Sequence, residues 1–292
     1  MPLRTLAILL LGWAAGSAAE EQAVFVVEFQ PGVDPALAQW LVLAGGLRVR
    51  PHLDLLPNHL LVEGQREEVL KLAGDSEVRH IFPASPALMR GEAVRSCAGP
   101  IIGDGKIGQY IASAGNGWGQ AKQGPVTVGY FIERFGEKLP GDKVREMIVR
   151  ALEEWARYVE IRFVPAEDAK APHTLNFLFG KGDHGDAYAF DGPGGVAAHA
   201  FYPAPVNPES IAGDVHFDDD ENWQQATGPD FYSVALHEIG HALGLLHSDD
   251  PGAVMYPYYQ TFPKLQGDDI RGIRRIYARQ CIGVECAMRY SP

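Results

Sequence analysis

Between Leu236 and Tyr259 the chain reads LHEIGHALGLLHSDDPGAVMYPYY, and its three histidines and single glutamate have the spacing a hydrolytic zinc site requires. His237 and His241 are four residues apart, so a helix sets both imidazoles on one face, one turn apart, within reach of a single cation. Glu238 follows the first of them. It does not share their coordination direction, yet it reaches a water on the metal, which is the place of a general base. Gly244 tolerates positive φ, ends the helix and turns the backbone back, so that His247 arrives as third ligand. The fourth position stays open for water. Zinc held by three neutral side chains lowers the pKa of that water to about 7 and polarises a carbonyl, the chemistry of peptide hydrolysis. Chance produces HExxHxxGxxH from this composition on the order of once in ten thousand such chains.

The elements that must position these residues are legible in the patterning. Pro125 to Ile132 reads as a strand, Asp142 to Val159 as an amphipathic helix and Thr174 to Phe179 as a second strand. In that helix Val144, Ile148, Leu152, Trp155 and Val159 form the buried stripe. Pro263 to Ala278, with Asp268 and Asp269 near its start, reads as a closing helix. From Val24 to Pro83 strands and helices alternate as βαββαβ, a ferredoxin-like unit, in which His52, His59 and His80 read as structural or surface residues. Residues 84–119, rich in Ser, Pro, Gly and Ala, read as a linker holding a maturation site.

Residues 1–19 carry an early Arg4, an apolar run and small residues Ser17 and Ala19 at cleavage spacing, which reads as a signal peptide. No later stretch of about 18 apolar residues exists, so the expectation is a secreted, extracellular and monomeric protein without a membrane partner. The net charge of −12 argues against a nucleic-acid partner, and the acidic run from Asp218 to Glu221 points to bound cations as readily as to general solubility. Export permits disulfides among Cys97, Cys281 and Cys286.

His247, Ser248 and the run Pro251 to Pro257, with Met255 eight residues beyond the third histidine, resemble the metzincins and, within them, the matrixin or matrix metalloproteinase family. The likeness spans roughly Gly124 to Ala278. It implies an α+β zincin fold of a twisted mixed sheet, a backing helix and an active-site helix, preceded here by the ferredoxin-like prodomain. The implied division is a signal peptide at 1–19, a propeptide at 20–83, a linker at 84–119, a catalytic domain at 120–280 and a tail at 281–292. The activity implied is that of a secreted zinc endopeptidase made as a latent zymogen, acting on proteins or peptides through a zinc-bound water activated by Glu238.

Residue by residue, HGDAYAFDGPGGVAAHAF and DVHFDDDENW match the family's second, structural zinc site, with His184, Asp186, His199 and His216 as ligands. Three nitrogens and one carboxylate close a tetrahedron with no vacancy. The same segments look like its calcium site, with Asp191, Asp218 and Glu221 as side-chain ligands and carbonyls near Gly192, Gly194 and Val196. The family's second calcium site uses an acidic residue where Thr174 stands, leaving Asp214. Residues 203–212 are an insertion. Pro257 and Tyr259 match the outer wall of the specificity pocket, and Ser233 its floor.

Two readings of latency follow. Arg95, Cys97, Gly99 and Pro100 loosely resemble the matrixin propeptide motif whose cysteine fills the fourth zinc position, with Ser96 and Ala98 displacing the spacing and the motif's Asp missing. Alternatively FVVEFQPGVDP and EEVLKLAGDSEVRHIFPAS resemble the propeptide inhibitors of subtilisin-like proteases, which implies inhibition by the chain's own propeptide laying the linker through the cleft. The departures around Cys97 favour the second. A reading of another class, a catalytically silent metal-stabilised inhibitor module, is disfavoured by Glu238, which a structural zinc does not need.

Overall fold

Residues 22–102, 106–107, 117–119, 125–223 and 229–277 are described by a computed structural model. The segment read as a signal peptide, the middle of the 84–119 stretch, and Cys281 and Cys286 lie outside these residues. Among the described residues no helix is long and apolar enough to cross a membrane.

The N-terminal unit is built from β1 (Ala23–Phe29), α1 (Pro35–Ala44), β2 (Arg48–Arg50), β3 (His59–Gly64), α2 (Arg66–Lys71) and β4 (Val78–Pro83). Its four strands pair antiparallel in the order β2-β3-β1-β4. α1 starts where Asp34 accepts the N–H groups of Ala36 at 2.8 Å and Leu37 at 3.3 Å, and Pro35 supplies a pre-set φ. β1 is central, and alternation buries it on both faces. Phe25, Val27 and Phe29 pack with Val42 and Val69 under the helices, while Val26 on the opposite face packs with Leu61, Phe82, Tyr256 and Tyr258. The second face therefore docks onto the segment that follows the zinc motif.

That docking carries polar contacts as well. Tyr256 Oη donates to Pro83 O at 2.9 Å and accepts the Ser85 N–H at 3.1 Å, and its ring meets Phe82 edge-on at 5.6 Å. His59 Nδ1 lies 2.6 Å from Tyr258 Oη, and His80 Nε2 lies 2.5 Å from Asp249 Oδ1. His59 and His80 are thus structural in a specific way: both meet the segment that follows the third histidine of the motif.

The 84–119 stretch departs from the linker reading. It holds α3 (Pro86–Arg90), β5 (Arg95–Ile102) and β6 (Lys106–Ile107), of which β5 and β6 join the larger sheet. Its small and turn-forming residues carry no alternation because the strand is held by its partners' edges.

The larger sheet adds β7 (Val126–Arg134), β8 (Ile161–Pro165), β9 (Thr174–Gly180), β10 (Gly195–Phe201) and β11 (Val215–Asp218), in the order β6-β5-β10-β11-β9-β7-β8. It is mixed: β7, β8, β9 and β11 run parallel, and β10 is antiparallel to β11. Two helices, α4 (Gly141–Ala156) and α5 (Phe231–Ala242), pack together beneath it, and Trp155 Nε1 on α4 donates to Leu236 O on α5 at 2.9 Å. A last helix, α6 (Gly267–Tyr277), anchors the turn around Met255. Asp269 Oδ1 accepts the Met255 N–H at 3.0 Å, while Oδ2 accepts those of Val254 at 3.0 Å and Gln266 at 2.8 Å.

Asp269 is 2% exposed, so truncating it strands the buried donors of Val254 and Met255 and the half-buried one of Gln266. Asp269→Ala should lower the unfolding free energy by roughly 3 kcal/mol or more in urea melts. A loss below about 1 kcal/mol would show that the Met255 turn holds itself without the carboxylate.

Candidate active site and metal centres

α5 carries the first two ligands because its sequence gives it a start, a buried length and a stop. Asp230 caps it by accepting the Ser233 N–H at 3.0 Å. At the other end the Gly244 N–H reaches His241 O at 2.8 Å and the Leu245 N–H reaches Gly240 O at 2.9 Å, with Gly244 at φ 103°. These bonds form a Schellman turn, which glycine alone adopts without strain, and the returning chain delivers His247. Gly240 serves a different need: a Cβ there would stand 2.3 Å from Met255 Sδ and 2.9 Å from Trp155.

His237 Nδ1 donates to Val254 O and His241 Nδ1 to Leu245 O, both at 2.7 Å. Their Nε2 atoms therefore carry lone pairs, and they face one another at 3.0 Å. His247 Nε2 is buried without a hydrogen-bond partner. Burial holds all three imidazoles neutral, His237 down to about 4 and the other two well below the usual range. Converging bare nitrogens of this kind fit a zinc ion. Cys97 completes a four-membered set: its sulfur and one nitrogen of each histidine lie within 4.8 Å of one another.

Glu238 is fully buried, and burial lifts its carboxyl to about 7 against the hydrogen bonds it receives. Its Oε1 accepts the Tyr259 hydroxyl, and its carboxylate also faces the Cys97 thiol. The tyrosine contact went unread in the sequence, since nothing in its spacing marks Tyr259 as a partner of Glu238. Ser233 is buried under the 257–262 segment, donating to Phe262 O at 3.2 Å and accepting the Phe262 N–H at 2.8 Å.

β5 fills the cleft above these groups. It pairs parallel with β10, and on its other side the Cys97 N–H reaches Pro257 O at 3.1 Å and the Tyr259 N–H reaches Arg95 O at 2.9 Å. The cleft thus lies between β10 and the 257–259 wall.

Asp186 gathers the second cluster. Its Oδ2 stands 2.6 Å from His199 Nε2, 2.6 Å from His216 Nδ1 and 3.0 Å from His184 Nε2. His184 Nδ1 is spent on Gly182 O at 2.8 Å, which leaves its Nε2 bare. Four ligand atoms lie within 4.8 Å of one another, three nitrogens and one carboxylate oxygen, a set that fits a zinc ion.

Asp191, Asp218 and Glu221 also come together. Burial raises Asp218 to about 6, and Asp220, Glu221 and Asp191 add like charge. Asp218 Oδ2 is buried without a partner. The three carboxylates lie beside Gly192 and Gly194, both at positive φ, and oxygen donors of this kind suit calcium. Thr174 is a buried β9 residue. Burial lifts Asp214 to about 7, with Glu133 and Asp186 adding like charge.

Three convergent imidazoles over a glutamate, a chain reversal and a methionine turn define a metal-dependent hydrolase of the zincin type. The matrixin family description, Peptidase_M10, matches residues 118–278, more than half of the chain. Human matrilysin is 40% identical over 161 residues, covering 53% of this chain and 58% of that protein. Human matrix metalloproteinase-16 is 40% identical over 161 residues, covering 51% of this chain and 26% of its own length. Horse interstitial collagenase is 37% identical over 181 residues, 61% of this chain and 36% of its own. The chain thus matches between 26% and 58% of the length of these relatives. It belongs to the matrixin family of metallopeptidases. The N-terminal unit lies outside the matched residues.

The two clusters predict two zinc ions per chain by atomic absorption after desalting. His241→Ala should abolish activity with most of the fold kept, whereas His199→Ala should chiefly lower the melting temperature, because a structural metal's binding energy is folding energy. A count of one zinc in a fully active preparation would remove the second site.

Proposed function

We propose that this chain is the latent precursor of a secreted zinc endopeptidase that cleaves proteins or peptides. Residues 20–83 are a ferredoxin-like prodomain, 84–119 the segment cut during maturation, and 120–280 the catalytic domain. The observation that carries the reading is Glu238, held beside three bare imidazole nitrogens at the floor of a cleft that already accepts an extended strand. The βαββαβ order and the β2-β3-β1-β4 sheet support the prodomain reading.

His237, His241 and His247 would hold the catalytic zinc, and His184, Asp186, His199 and His216 the structural one. Asp191, Asp218 and Glu221 would hold calcium. Zinc in the first site supplies a polarised water and a Lewis acid for the scissile carbonyl. A substrate takes the place of β5 and lies as an added strand between β10 and the 257–259 wall, which aligns its carbonyl without distortion. Glu238 takes a proton from the attacking water and passes it to the leaving amine. Tyr259, hydrogen-bonded to Glu238 in the precursor, keeps that carboxylate oriented.

Latency in this reading has two parts. Cys97, whose sulfur lies among the three imidazole nitrogens, would act as a fourth ligand to zinc, and β5 would block the cleft by its backbone pairing with β10, Pro257 and Tyr259. Sulfur ligation needs the thiolate, which a nearby zinc favours. The strand does not depend on it, and neither does the docking of Tyr256 and Tyr258 on the prodomain.

Glu238→Gln should keep both zincs and lose two to four orders of magnitude in the rate of casein cleavage by the matured enzyme, roughly the contribution of a general base. Cleavage at the original rate would remove Glu238 from the mechanism. Uncleaved Cys97→Ser precursor should remain below about a tenth of mature activity, since the strand still covers the cleft. Full activity without cleavage would establish the cysteine as the sole lock.

A further inference from the structure

The pro-segment meets the candidate calcium loop through Arg95. Its Nε lies 3.1 Å from both carboxylate oxygens of Glu221, whose side chain is completely buried. Strand pairing delivers the guanidinium there, because Arg95 is in register with Gly195 and its carbonyl accepts the Tyr259 N–H at 2.9 Å. The next residue reinforces the contact, with Ser96 Oγ donating to Gly195 O at 3.2 Å. Glu221 Oε1 also accepts the Gly194 N–H at 2.6 Å.

The neighbouring cations are engaged elsewhere. Lys138 Nζ donates to the backbone carbonyls of Asp220 at 2.5 Å and Glu221 at 3.0 Å, and Lys181 stands 3.7 Å from Asp219 and 3.6 Å from Asp220. Arg95 is thus the cation that meets the Glu221 carboxylate among the described residues. Beside it, Asp218 Oδ2 is buried with no partner and Asp191 is close enough to add like charge. This set of oxygens is incomplete without a positive ion even while Arg95 is docked.

We propose that Arg95 and a calcium ion compete for Glu221, so that calcium loosens the pro-segment from the cleft and the docked pro-segment holds calcium binding weak. The inference rests on the calcium reading of Asp191, Asp218 and Glu221. Two cations drawing on one buried carboxylate repel each other where water screens little. Linkage makes the effect mutual: whatever calcium takes from pro-segment docking, the pro-segment takes from calcium affinity. When the pro-segment leaves, Arg95 goes with it, and Glu221 becomes a buried charge without a counter-ion, held by the Gly194 N–H. A divalent ion that prefers oxygen then relieves that state, so calcium uptake accompanies maturation and opposes re-docking.

The test uses full-length Glu238→Ala precursor, which does not cut itself, with and without Arg95→Gln. Calcium chloride is titrated into both by calorimetry. The Arg95→Gln protein should bind calcium about tenfold more tightly, within the usual range of coupling between sites. Equal affinities overturn the competition and leave the calcium reading standing; absence of binding by either protein overturns both. A second measurement needs no change at Arg95: hydrogen exchange over residues 93–102 of the Glu238→Ala precursor should quicken when calcium is added and not when magnesium is. Exchange that is unchanged or slowed by calcium overturns the proposal.

Discussion

Neutral imidazole nitrogens that face one another repel, and the molecule holds His237 and His241 in that arrangement with their Nε2 atoms 3.0 Å apart. Both Nδ1 atoms are committed to backbone carbonyls, so no change of tautomer turns the contact into a hydrogen bond. Only a cation at the focus makes the cluster favourable, and the surrounding structure enforces the geometry that one requires. One carbonyl comes from Leu245, just past the Gly244 reversal, and the other from Val254, on the turn clamped by Asp269. Gly240 lets Met255 approach α5 closely enough to fix that turn's height. The motif is therefore one packed object, in which helix, reversal, turn and last helix each set the direction of an imidazole.

The cleft presents a second constraint. Its two rims, β10 and the 257–259 segment, are backbone edges with donors and acceptors directed at the gap, and buried edges of this kind are paired. β5 satisfies both at once. The docking of Val26, Leu61 and Phe82 against Tyr256 and Tyr258 gives the covering strand a rigid mount. Both faces of the small sheet are spoken for, one by its own helices and one by the protein it covers, which explains why β1 is apolar on each side.

What could be read in the sequence follows from the range of each interaction. His237, Glu238 and His241 lie within one turn of one helix, so their geometry is a property of the local period, and the strands and helices around them show their own alternation. The four residues of the cluster centred on Asp186 are spread over two segments and became legible through a family pattern. The contacts made between distant stretches of the chain were not legible. Tyr258 meets His59 across 199 positions, Glu221 meets Arg95 across 126, and Tyr259 meets Glu238 across 21. None of these pairs has a periodic or compositional signature. β5 was read as linker for the same reason: its residues are ordinary loop formers, and its strand character is induced by the edges it joins.

The same reasoning bears on what cutting the chain accomplishes in the proposed precursor. Cleavage after residue 102 removes a covalent link but leaves the β5 ladder, the tyrosine cluster and the His80–Asp249 contact intact. A fragment held by that many contacts dissociates only when something else disfavours its docking or destroys it, because cleavage raises the entropy of release without weakening any single interaction. In the intact chain the prodomain sits at a high effective concentration; after cleavage its occupancy depends on its own affinity and on dilution. Maturation in this architecture is thus two events, scission and release. In that reading the second is governed by the buried face of the small sheet that carries Val26, Leu61 and Phe82, together with Arg95 and Cys97.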